Sequence, residues 1–156
     1  MEKTAETDAY WNEAKASGTW IGEVYWVRRI GANKPIVDSI LDLILSGEKC
    51  GTFGLKLLLD RQPGSFPTMG GEAVIVDMDG VPHGIVRTSK LTPVAYKDIT
   101  EDYLTIEGPG ARQLDRWQEI HWPYWSALLD RHDLDPSDDM VVMVEHFELV
   151  YSKTPS

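Results

Sequence analysis

Two runs of strand-forming residues, 72–78 and 81–90, are separated only by Asp79-Gly80. An Asp-Gly step between such runs is the strongest short-range hairpin signal a sequence carries, because glycine supplies the positive φ that a tight reversal needs. The chain is therefore committed to an antiparallel sheet on which its other elements must pack. Residues 23–29 (EVYWVRR) and 140–151 (MVVMVEHFELVY) are rich in β-branched and aromatic residues and supply further strands.

Helices alternate with these strands. Residues 4–16 favour one, closed by Gly18. Asn33 can cap a second, with Pro35 in its first turn where a missing N–H costs nothing. Ile36, Val37, Ile40, Leu41, Ile44 and Leu45 then recur at helical spacing before Gly47 stops the run. A short helix is expected over 97–104, with Asp98 or Thr100 as cap. A long one, bent at Pro123, is expected over 111–131, its stripe formed by Leu114, Trp117, Ile120, His121, Trp125, Leu128 and Leu129. Residues 60–71, with Pro63, Gly64, Pro67, Gly70 and Gly71, read as a loop. Non-local antiparallel strands with helices to the side make the fold class α+β, a closed or nearly closed barrel.

At 156 residues the chain fits one domain with its own core. A single cysteine, Cys50, excludes an internal disulfide and points to a reducing compartment. The N-terminus lacks the apolar stretch of a secretory signal, and the most apolar run, 36–45, contains Asp38 and Asp42, so no membrane span is expected and the location reads as cytoplasmic. Net charge is −10, which disfavours a long phosphate-binding groove and DNA as a partner.

Common chemistry is absent. There is no Walker loop and no dinucleotide glycine fingerprint. His83, His121, His132 and His146 do not stand at metal-ligand spacings, and His146-Phe147-Glu148 lacks the later cysteines of a zinc deaminase. No metal and no cofactor are expected. Asp77-Met78-Asp79-Gly80 is a turn rather than a calcium loop, since no glutamate closes it.

What remains is Gly47-Glu48-Lys49-Cys50-Gly51-Thr52 at the end of the second helix. With the hairpin through Ile85-Val86-Arg87-Thr88-Ser89, the block Glu107-Gly108-Pro109-Gly110 followed by Leu114, Trp117 and His121, and the closing strand ending Phe147-Glu148-Leu149-Val150-Tyr151, the chain resembles the ASCH family over about residues 24–151. The resemblance implies a PUA-like mixed or antiparallel β-barrel flanked by helices. Residues 1–22 would be a helical extension and residues 23–152 the ASCH domain, within one globular unit.

In the family's N4-acetylcytidine amidohydrolases a lysine, the threonine three positions later and a downstream glutamate do the work, and these fall on Lys49, Thr52 and Glu107. A threonine hydroxyl is a weak nucleophile that needs a neighbouring base, and a lysine serves as one only where its surroundings favour the neutral amine. The implied activity is metal-independent hydrolysis of N4-acylated cytidine or cytosine-type nucleosides. Trp26, Phe53, Arg28 and Arg112 are candidates for substrate binding, with Trp20 and Tyr25 as further rings able to stack on a base. The partner that the resemblance implies is a small-molecule modified nucleoside. The alternative is an RNA-directed member of the family, either a ribonuclease or a non-catalytic binding module, and a catalytically silent regulator would suit the Gly108-Pro109-Gly110 departure from the family's usual Gly-Glu-Gly-Asp.

Overall fold

The computed structural model describes residues 1–62 and 67–153. Positions Pro63 and Gly64 of the expected loop lie outside the described residues. The elements are α1 (Ala5–Ala16), β1 (Trp26–Arg28), α2 (Lys34–Ser46), β2 (Gly51–Leu55), α3 (Lys56–Leu59), β3 (Glu72–Val76), β4 (Pro82–Ala95), α4 (Leu114–Asp130) and β5 (Val141–Tyr151). The strands form one mixed sheet in the order β1-β3-β4-β5-β2, parallel only between β1 and β3.

Local chemistry accounts for the helix ends. Thr4 and Thr7 make a reciprocal cap at the start of α1. The Asn33 side chain accepts from the Ile36 N–H, and Gly47 ends α2 at φ 83°, a conformation that side chains resist. The β3–β4 reversal is broader than a two-residue turn: Gly80 takes φ 83°, and the Asp77 carboxylate accepts from the N–H groups of Asp79 and Val81. The segment expected as a short helix over 97–104 is two 3₁₀ stretches, Tyr96–Asp98 and Glu101–Ile106, and the Thr100 side chain caps neither. α4 runs unbroken through Pro123.

The sheet curls into a half-barrel with helices on both faces. α2 packs Val37, Leu41 and Ile44 against Ala73, Ile75, Val86 and Phe147. α1 packs Tyr10, Trp11 and Ala14 on Val27, Val74 and Ile85. On the β2–β5 side, Phe53, Leu55, Val142 and Val144 meet Trp117, Trp125 and Leu129 of α4. The curl is visible in one contact. β1 and β5 stand three strand spacings apart, about 14 Å in a flat sheet. Yet Arg28 of β1 grips Glu145 of β5 through two bonds of 2.8 Å. The two strands therefore face each other across a concave surface. No helix among the described residues is long and apolar enough to cross a membrane.

Candidate functional site

The chain turns back after Gly47, and the Lys49 N–H donates to the Leu43 carbonyl at 3.0 Å. This turns the Lys49 side chain inward. Its Nζ donates to Glu107 Oε2 at 2.8 Å, with the two side chains only 4% and 9% exposed. Glu107 is carried on the far side by the 3₁₀ stretch ending at Ile106, whose carbonyl accepts from the Cys50 N–H at 2.9 Å. Arg112 clamps the two segments: its Nε donates to the Glu107 carbonyl at 2.7 Å and its Nη2 to the Glu48 carbonyl at 2.8 Å. The arginine expected to bind substrate thus spends these donors on the backbone flanking the ion pair.

His121 borders the pair. Its ring stacks on Trp117 one helical turn earlier, with centroids 4.5 Å apart, and its Nδ1 donates to the Trp117 carbonyl at 2.8 Å. Burial lowers its affinity for a proton; the Trp117 carbonyl and Glu107 raise it, while Lys49 lowers it further, and the net direction is downward. His121 therefore sits neutral beside the ion pair. The sequence placed it on the core stripe of α4, and the only signal of a second role was its position in the Glu107-to-His121 block.

Thr52 lies three residues past Lys49, in β2, directly opposite Glu145 in the antiparallel register. Directly opposed residues share a face of the sheet. Thr52 therefore faces the concave side, while its neighbour Phe53 faces α4, edge-on to Trp117 at 5.2 Å and to His121 at 5.9 Å. Phe53 is core and offers no open ring to a ligand. Gly51 is required by close approach: a Cβ there would lie 2.3 Å from the Glu145 carbonyl oxygen and 2.5 Å from Ile106 Cδ1. That absence of a side chain lets β2, β5 and the Glu107 segment meet.

A second buried constellation occupies the concave face. Glu145, 2% exposed, takes Arg28 Nη1 and Nη2 on its two oxygens and the Thr88 hydroxyl at 2.7 Å on Oε2. Trp26, two residues from Arg28 on β1 and so on the same side of the pleat, is 39% exposed. Trp26, Arg28, Thr68, Glu72 and Thr88 line a narrow cleft. Arg28 and Trp26 are candidates that the sequence offers; Glu145 and Thr88, which the structure brings to them, are not. Of the other candidate rings, Tyr25 is buried against Trp11 at 4.8 Å, while Trp20 is 85% exposed beneath the Arg87 guanidinium. A separate cleft of about 430 Å³ lies between α1 and the start of β4, lined by Tyr10, Glu13, Leu45, Pro82, His83 and Lys153. No predicted site residue lines it, and two of its charged side chains pair locally, His83 with Asp77 and Lys153 with Glu13.

The order of elements and these placements agree with a family model described as ASCH domain, which matches residues 27–151. The chain belongs to the ASCH domain family. A crystal structure of an ASCH domain from Lactobacillus crispatus superposes with a TM-score of 0.79 at 25% identity, covering 94% of this chain and 92% of that one. A crystal structure of a protein from Enterococcus faecalis, assigned to family-model DUF984, superposes with a TM-score of 0.82 at 22% identity, covering 97% and 96%. No curated protein sequence matches the chain. The ASCH match starts at the second residue of β1 and ends at the last residue of β5, so it takes in all of the sheet but Trp26, along with Lys49, Thr52, Glu107 and Glu145.

Proposed function

We propose that this ASCH-domain protein is an amidohydrolase that removes the acyl group from N4-acylated cytidine or cytosine-type nucleosides. The observation that carries the reading is the Lys49–Glu107 ion pair, buried at 2.8 Å and delivered by the same turn that leads into Thr52. Burying two charges is costly, and a purely structural pair is often matched or bettered by apolar residues of similar size. A pair kept at the entrance to a strand bearing a nucleophile has a chemical use.

In the proposed reaction the Lys49 proton moves along its bond to Glu107, leaving a neutral amine. That amine takes the Thr52 hydroxyl proton as Oγ1 attacks the acyl carbon. The tetrahedral intermediate collapses, the C–N4 bond breaks, and Lys49 returns the proton to the departing N4. Lys49 then deprotonates a water that attacks the acyl-threonine ester; the ester C–O bond breaks, Lys49 passes that proton to Thr52 Oγ1, the carboxylic acid leaves, and the proton held by Glu107 returns to Lys49. His121, neutral and half-buried beside the pair, keeps the amine's surroundings from gaining another positive charge. A net charge of −10 suits a neutral nucleoside better than a polyanionic strand.

The test is chromatographic. The protein is incubated with N4-acetylcytidine and with longer N4-acyl homologues, and the products are resolved by mass. Appearance of cytidine and the matching acid supports the reading. An intact substrate pool across the series, together with RNA binding that weakens steeply with salt, would replace it with an RNA-directed function.

A further inference from the structure

The ion pair on the concave face is built unlike a simple brace between strands. A guanidinium carries five N–H donors. Arg28 gives two of them to Glu145, and no other acceptor among the described residues takes the rest. Arg28 is also the more exposed partner, 18% against 2% for Glu145. The carboxylate is thus the buried anchor, and a planar face of fixed orientation is presented to the cleft. The Thr88 hydroxyl locks the anchor from behind. Thr52 stands across from Glu145 on the same face, and the Trp26 ring lies open beside Arg28.

We infer that Glu145 is a positioning residue: with Thr88 it fixes Arg28 so that the free guanidinium edge, beside the Trp26 ring, holds the acceptor edge of a pyrimidine base on the face that carries Thr52. The substrate class rests on the amidohydrolase reading. The chemistry fits cytosine, whose C2 carbonyl oxygen and ring N3 are two adjacent acceptors that N4-acylation leaves in place. Two parallel N–H groups of a guanidinium match such a pair, whereas uracil presents an N3–H donor at one of the two positions. The cleft itself holds only about 10 Å³, the room of one water, so the base docks across its mouth, stacked on Trp26, rather than inside it.

Calorimetric titration with cytidine and with uridine tests this without turnover. Wild-type protein is expected to bind cytidine about tenfold or more tightly than uridine, consistent with one charge-assisted hydrogen bond. Glu145→Gln, which cannot accept on both positions, and the paired replacement Arg28→Met with Glu145→Leu should each erase that preference. The paired replacement should keep the unfolding midpoint near that of wild type, because apolar side chains of similar size replace the whole ion pair. A wild-type protein that fails to bind cytidine, or a paired variant that retains the preference, would overturn the inference. The two readings fail separately: cytidine binding without deacylation removes the amidohydrolase and leaves the positioning role, while deacylation whose KM the paired variant does not move removes the positioning role alone.

Discussion

Lys49 and Glu107 illustrate how a reactive pair constrains its own mutagenesis. With side chains 4% and 9% exposed, either partner alone would be an uncompensated buried charge. Lys49→Ala is therefore expected to destabilise the fold by about 3–5 kcal/mol, read from denaturant unfolding, and its inactivity would say little about chemistry. The joint change Lys49→Met with Glu107→Leu should recover most of that stability and still show no deacylation. Recovery of activity along with stability would make the pair structural. Thr52 is the cleaner probe, because it is only half-buried and stands outside the packed core clusters. Thr52→Ala should unfold within about 0.5 kcal/mol of wild type, as substitutions away from buried features do, while losing turnover. These three residues were singled out in the sequence through the family resemblance. The burial of the pair, and the Arg112 clamp on its flanking carbonyls, were not, because both depend on contacts across 58 and 64 residues of chain.

At the scale of elements, α2 was readable because every signal agreed: an asparagine cap, an early proline, helical apolar spacing and a terminal glycine. β2 was not, since five residues with two glycines show neither alternation nor β-branching beyond Thr52. Its pairing with β5 is what exposes the role of Gly51. Gly51→Ala should drive a methyl into the Glu145 carbonyl and Ile106, costing about 1–3 kcal/mol in unfolding free energy and displacing Thr52, so that deacylation falls more than stability explains. Glu145 stayed hidden in β5, where an acidic residue following a run of valines and methionines reads as an outward position. α4 adds a pH dependence. Burial holds His121 below its ordinary 6.5, and burial with Lys90 does the same to His146. The unfolded chain then binds more protons than the folded one below that value. Stability is fully present above about pH 6.5 and declines as pH falls, by at most about 1.4 kcal/mol per pH unit for each histidine. Unfolding midpoints at about pH 7.5 and about pH 5.5 should show the drop, and His121→Phe should reduce it. An unchanged drop in that variant would assign the effect elsewhere.

Across the whole molecule, the hairpin, the final strand and the flanking helices were enough to specify α+β and the family's barrel. The strand order that brings β1 over toward β5 within that barrel was beyond reach, because it is set by pairings between distant segments rather than by any local pattern. That curl is what assembles a concave face with Thr52, Arg28 and Glu145 on one side of the sheet and the Lys49–Glu107 pair at its β2 edge. A net charge of −10 works against phosphate-driven binding, so under the proposed reading turnover of a neutral nucleoside should change little between low and high salt. The most direct measurement is the ultraviolet absorbance change of N4-acetylcytidine incubated with the wild-type protein and with Thr52→Ala, side by side. Conversion to cytidine by the wild type alone is the predicted result. Conversion by both proteins, or by neither, would contradict a threonine-centred amidohydrolase.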